Sequence, residues 1–114
     1  MDHRRIARIR EIIHREIASI LEREISDPRL GFVTVTRVKL SSDCSHATIF
    51  FSTMGTDEER AETMEAVDSS HGYIRSLLAD RIRLKTVPAL SFVHDTSIED
   101  GNRVLRLIRE LNED

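Results

Sequence analysis

The sequence predicts an α+β domain, a three-stranded sheet with helices packed on one of its faces. Three observations point there. A stripe of apolar residues at helical spacing opens the chain: Ile6, Ile9, Ile13, Ile17, Ile20 and Leu21. Two strand-like stretches follow it directly, and a third comes only after a further helical region. Between these stand Pro28 with Gly31, Ser41-Ser42-Asp43, Gly55 and Pro88, residues that stop or turn a chain.

The first helix is expected from about Arg4 to Ile25. At ~100° per residue its apolar stripe is roughly 120° wide, and Arg4, Arg8 and Arg15 fall near the opposite side. Asp27-Pro28-Arg29-Leu30-Gly31 ends it, because Pro28 cannot continue a helix and Gly31 allows backbone angles other residues resist. Within that turn Arg29 is expected to fix the angle between helix and strand. The first strand covers about Phe32 to Leu40. Val33 and Val35 share one parity and Val38 and Leu40 the other, so a bulge or strong twist is expected near Thr36-Arg37. The second strand, about His46 to Ser52, turns Ala47, Ile49 and Phe51 to one face. The short polar link between the two strands predicts an antiparallel hairpin.

After Gly55, Thr56-Asp57-Glu58-Glu59 reads as a capping box. The second helix runs to about Ser69 with a thin apolar face of Ala61, Met64 and Val67. Ser70-His71-Gly72 interrupts it, and the third helix buries Ile74, Leu77, Leu78 and Ile82. The pair reads as helix, kink, helix. Val87-Pro88 leads into the third strand, Leu90 to His94, and Pro88 suits a strand start or an edge. Asp95-Thr96-Ser97 supplies cap candidates for a last helix over about 97–112, with Ile98, Val104, Leu105, Ile108 and Leu111 as its apolar positions. The whole, residues 1–114, is expected to be one domain with its core over about 4–95. The sheet's second face is expected to stay partly open to a partner.

Composition agrees with a globular chain: 114 residues, 39% hydrophobic and 32% charged. No apolar run reaches the roughly 18 residues of a membrane span. The basic N-terminus has no apolar segment behind it, and Cys44 is the only cysteine. Both favour the cytoplasm. The net charge of −3 hides a strong polarity. Residues 1–15 sum to +3 and residues 70–85 to +3, while residues 57–68 sum to −5. Such a bipolar molecule can turn a basic face to RNA.

Catalysis is not expected. Cys44 and His46 are two apart behind Asp43, but an activated thiol also needs an oxyanion site and a pocket, and the sequence shows neither. The five histidines lack paired ligand spacing, which with one cysteine argues against a metal site. There is no Gly-rich phosphate loop, and no cofactor is expected.

Four segments carry a resemblance to a known family: Glu24 to Gly31, Ser41 to Ser52, Gly72-Tyr73-Ile74-Arg75-Ser76, and Arg83 to Leu90. In that order and spacing the chain resembles the ribosome-binding factor A family, bacterial assembly factors of the small ribosomal subunit. The resemblance implies a K-homology-like fold of the second type, α-β-β-α-kink-α-β, with a C-terminal helix added. Ordinary K-homology domains clamp a nucleic-acid backbone with a Gly-x-x-Gly loop. The family replaces that loop with an Ala-x-Gly kink, and here Ser70 stands where alanine is usual. The resemblance implies a non-enzymatic factor that binds the immature small subunit and its rRNA near the 5′ terminal region. It further implies help with precursor-RNA processing and growth in the cold, and work alongside assembly GTPases. A monomer with no membrane partner is expected.

The RNA-contact residues expected on this reading are Arg75, Arg81, Arg83 and Lys85 on and after the third helix. Arg4, Arg5 and Arg8 follow on the first helix, with Ser70, His71 and Gly72 at the kink. Arg81 falls inside the apolar sector, so its guanidinium must reach the rim or the helix must be ending there. The rival reading is a protein–protein adaptor without direct RNA contact, using the last helix.

Overall fold

A computed structural model describes residues 3–112, apart from the side chains of Ile98 and Glu99. The elements are α1 (His3–Arg23), β1 (Val33–Leu40), β2 (His46–Thr53), α2 (Asp57–Ser69), α3 (His71–Arg81), β3 (Ala89–His94) and α4 (Ser97–Asn112). Their order is the expected one. β1 and β2 form the antiparallel hairpin, and β3 joins β2 in parallel after the α2–α3 crossover, giving sheet order β1-β2-β3.

The isoleucine stripe does what its spacing demands. Ile9, Ile13, Ile17, Ile20 and Leu21 of α1 are buried. They pack on Val35, Val38, Ala47 and Ile49 of the sheet, Ile74 and Leu78 of α3, and Ile82 and Leu90 around it. Ile82 caps α3 with extended backbone rather than lying inside the helix. A smaller cluster of Leu30, Ala66 and Val67 sits under the turn after α1.

The parity flip is a β-bulge between Val35 and Arg37. Val35 and Val38 both point into the core because Thr36 is the extra residue. The ring of His14 on α1 donates from Nε2 to the Val35 carbonyl at 3.1 Å, beside the bulge. The capping box is also present: Thr56 Oγ1 accepts from the Glu59 N–H, and Glu59 reaches back to the Thr56 N–H.

The face of α2 differs from the expected one. Thr63, Ala66 and Val67 are buried, whereas Ala61 is exposed and Met64 half-buried. The helix is rotated toward the turn after α1, where the Thr63 hydroxyl is shared between the carbonyls of Arg29 and Glu59. A hydroxyl satisfied that way is as good an inward group as a small apolar one. Gly31 adopts φ +59°, and a Cβ there would stand 3.6 Å from the Thr63 hydroxyl, so its role is the left-handed backbone rather than space.

Arg29 fixes this corner, as expected, and does so through side-chain contacts. Its Nη2 meets the Asp27 carboxylate at 2.7 Å and the Ser69 hydroxyl at 3.1 Å. The Arg29 side chain, then its backbone N–H, holds the Asp27 carboxyl at about 2 against the usual 3.8. Hydrogen bonds from Ser45 and Ser41 hold Asp43 at about 2, and those from Thr36 and Ser97 hold Asp95 at about 2. Each pKa is depressed on folding, so each contribution is present above pH ~4 and lost as pH falls toward 2. Acid unfolding followed by circular dichroism is therefore expected to steepen across that window. Asp27→Asn is expected to flatten it while lowering stability at neutral pH.

α4 stands apart. Every described side chain along it is exposed, including Leu105 at 55% and Leu111 at 80%. Ile98, expected on its apolar face, lies outside the described residues. The helix follows β3 and, among the described residues, packs on no other element to any extent, in a molecule of 60 × 38 × 17 Å.

Candidate nucleic-acid interface

The two basic stretches of the sequence meet in space because α3 packs along α1. α3 ends at Arg81, and residues 82–88 then run past the N-terminal half of α1. Two clefts result, sharing Ile9 and Leu84 as their common wall. One, about 330 Å³, has Arg15, Glu16, Arg81 and Arg83 on its rim. The other, about 340 Å³, has Arg5, Asp43 and Lys85 on its rim. Arg5, Arg83 and Lys85 are exposed and have no ion-pair partner among the described residues.

The opposite end of α1 is the acidic end. There Arg29 ties the turn to Ser69 and Glu65 of α2, the helix that carries the −5 segment. A helix of 21 residues is ~31 Å long. The charge polarity seen in the sequence is thus a polarity along α1.

The remaining expected contact residues divide by what they touch. Arg81 bonds Glu16 at 3.3 Å, Ser19 at 3.2 Å and Glu24 at 3.2 Å, clamping α3 to α1. Its position in the apolar sector is reconciled because α3 ends there. Arg75 donates to the carbonyls of Val87 at 3.0 Å and Pro88 at 3.3 Å, so it holds the segment that presents Arg83 and Lys85. His71 donates from Nε2 to the Leu90 carbonyl at 2.7 Å and meets Phe92 edge-on. A carbonyl only accepts, so this bond places the ring proton on Nε2. Arg4 and Arg8 are exposed on the first turns of α1.

The kink is built on Ser70, whose N–H closes α2 and whose carbonyl accepts from Ile74 to open α3. Gly72 has no positive φ, and a Cβ on it would meet nothing within 4 Å. The bend does not need this glycine, which leaves a bare stretch of backbone facing open space. The kink lies at the start of α3, ~16 Å along the helix from its basic end. Ser70, His71 and Gly72 are therefore not part of the patch formed by Arg5, Arg83 and Lys85.

Arg15 was not among the expected contacts, yet it lines the first cleft. Its signal was present, since it lies in the basic stretch and off the apolar stripe. Cys44 sits in the hairpin turn with φ 60°, while His46 opens β2 and bonds the Ser91 hydroxyl at 2.9 Å. Among the described residues no group of His, Cys, Asp and Glu is arranged to hold a metal ion. Among the described residues no helix is long and apolar enough to cross a membrane.

An α-β-β-α-α-β order closed by a parallel third strand, with a kinked helix pair on one face, defines a K-homology-like fold of the second type. Comparison with known proteins agrees. The family model of ribosome-binding factor A matches residues 5–108. Ribosome-binding factor A of Halothermothrix orenii is 40% identical over 114 residues, covering 100% of this chain and 93% of that protein. The crystal structure of ribosome-binding factor A from Thermus thermophilus superposes with a TM-score of 0.69 at 26% identity, covering 77% of this chain and 92% of that one. A Thermus thermophilus ribosome-binding factor A fitted into a cryo-EM map of a 30S complex gives a TM-score of 0.66 at 25% identity, covering 78% and 93%. The chain belongs to the ribosome-binding factor A family.

Proposed function

We propose that the protein is a non-enzymatic assembly factor that binds the immature small ribosomal subunit through its rRNA. The observation that carries this is the basic end of α1, where Arg5, Arg15, Arg83 and Lys85 gather around two adjoining clefts. Family membership supports it, as does the 30S complex of the Thermus relative. Arg4 and Arg8 extend the same patch along α1. Arg75 and Arg81 act by holding α3 and the following segment in place. The protein cuts nothing. Tighter binding to immature than to mature RNA folds shifts that equilibrium and assists late processing near the 5′ end of the precursor. The same differential binding would matter most in the cold, where misfolded RNA helices persist, and assembly GTPases would act on the same particle. Such a factor works in the cytoplasm as a monomeric domain spanning residues 1–114.

The test is co-sedimentation with purified immature small, mature small and large subunits across a salt series. Preference for the immature small subunit, weakening steeply with salt, is expected. Equal binding to the large subunit would sink the proposal.

Gly72 gives a second test. Gly72→Ala is expected to raise stability by up to ~1 kcal/mol, because the helix gains propensity and the Cβ meets nothing. If RNA backbone approaches the kink, the same change weakens subunit binding. A higher melting temperature with unchanged affinity would assign the kink a purely structural role.

The adaptor reading keeps one observation in its favour, the exposed apolar side of α4 formed by Val104, Leu105, Leu107, Ile108 and Leu111. It predicts binding that is indifferent to salt and survives loss of Arg83 and Lys85.

A further inference from the structure

The helices cover one face of the sheet, and the bare face is chemically distinctive. Its character comes from the bulge. Without the extra residue at Thr36, the alternation set by Val33 and Val35 would turn Arg37 into the core. With it, Arg37 and Lys39 both point outward and are exposed. The register then lines up Arg37, Phe50 and Val93 in one row across the three strands, and Lys39, Thr48 and Ser91 in the next. Phe50 lies on the middle strand, half-buried, with the Arg37 guanidinium carbon 4.1 Å from its ring centre. Lys39 has no ion-pair partner among the described residues. His46, exposed at the start of β2, bonds Ser91 on the same face.

No strand carries an acidic residue. The nearest acids lie at the margins and are occupied: Asp95 by Thr36 and Ser97, Asp43 by Ser41 and Ser45. Within the paired strands the apolar area on this face is small, since Phe50 is covered by Arg37 and Val93 adds to it, while the exposed Phe32 and Met54 lie beyond the strand ends. A protein interface draws on an apolar core. A cationic, hydroxyl-rich sheet with one aromatic at its centre suits unpaired bases instead, because every base has a face to stack and a phosphate to neutralise.

We propose that this bare face is a second RNA-contact surface, which takes unpaired bases of a single strand. It rests on the reading that the chain works on RNA, but it lies on the other side of the sheet from the α1–α3 clefts. One base stacks on the outer plane of the Arg37 guanidinium, whose inner side covers Phe50. Lys39 meets a neighbouring phosphate. Thr48, Ser91 and His46 offer hydrogen bonds to sugar or base edges.

The experiment titrates the isotope-labelled protein with unstructured oligoribonucleotides of about ten residues and follows backbone amide signals. Shifts at Arg37, Lys39, Thr48, Phe50 and Ser91 are expected. Shifts confined to the surroundings of Arg5, Arg83 and Lys85, or none at all, would overturn the proposal. The double variant Arg37→Lys with Phe50→Leu keeps the charge and the apolar cover but removes both planar groups. Its affinity for the oligomers is expected to fall about tenfold, the loss of one base stack, with thermal melting unchanged. Unchanged affinity counts against the proposal. On purified small subunits, a photo-crosslinking residue at position 50 is expected to capture rRNA, and capture of a ribosomal protein alone would refute it. Subunit binding by the unmodified protein is read separately. Its absence would sink the assembly-factor reading while the oligomer titration still decides the sheet.

Discussion

Replacing Arg5, Arg83 and Lys85 together by alanine is expected to weaken binding to the immature small subunit by about a hundredfold at 0.1 M salt. Each phosphate contact contributes ~0.7–0.9 to the slope of log affinity against log salt, so three contacts contribute ~2–3 log units per tenfold dilution. The salt slope of the variant is expected to fall by the same ~2–3. The choice of residues matters. These three are exposed and bind no acid among the described residues, so their loss leaves the fold intact and the melting temperature within a degree or two. Arg75 and Arg81 are unsuitable for this purpose. Arg75→Ala frees the carbonyls of Val87 and Pro88 and lets the loop move. Arg81→Ala removes the contacts to Glu16 and Glu24 that hold α3 against α1. Either change mixes stability with affinity. If the triple variant binds as tightly as the parent with the same salt slope, the basic end of α1 is not the contact surface.

Much of the fold could be read from residue spacing, for a simple physical reason. The α1 stripe, the hairpin and the capping box depend on neighbours within a few positions, and local chemistry decides them. Even the bulge announced itself, because Val33 and Val35 cannot share a face with Val38 and Leu40 unless one residue is extra. The face of α2 was less legible. Its helix carries only Ala61, Met64, Ala66 and Val67 as apolar candidates, and a threonine with two carbonyls in reach decided the rotation. The interface was legible only as a charge polarity. Residue type does not separate a cation that holds the fold from one left facing outward. Arg81, Arg75 and His71 all bond within the protein, while Arg83 and Lys85 a few positions away have no such partner among the described residues. That Arg5 and Lys85 line one cleft depends on how α1 lies against the end of α3, which no local pattern encodes. The bare face of the sheet was expected, but its pairing of Arg37 with Phe50 needed the register.

Ile17→Ala should behave in the opposite way to the charge variant. Ile17 is fully buried in the cluster where α1 meets the sheet and α3. Truncating a buried isoleucine costs about 2–5 kcal/mol, from lost transfer energy and the cavity left behind. Against a total stability of about 5–15 kcal/mol this is a large fraction. At roughly 3–6 °C per kcal/mol for a chain of this size, the melting temperature is expected to fall by about 6–30 °C. Ile17 does not line either cleft, whose apolar walls are Ile9, Ile12, Ile13, Ile82 and Leu84. Well below its melting temperature the variant should therefore bind small subunits with the parent's affinity and salt slope, and lose binding only as it unfolds. One variant changes affinity at constant stability, the other stability at constant affinity. That separation follows if α1 has two independent jobs, an apolar face that anchors the helix and a basic end that meets RNA. If Ile17→Ala weakens binding while the protein is still fully folded, the two faces are coupled, and the clefts depend on the exact seating of α1 rather than on the charges along their rims.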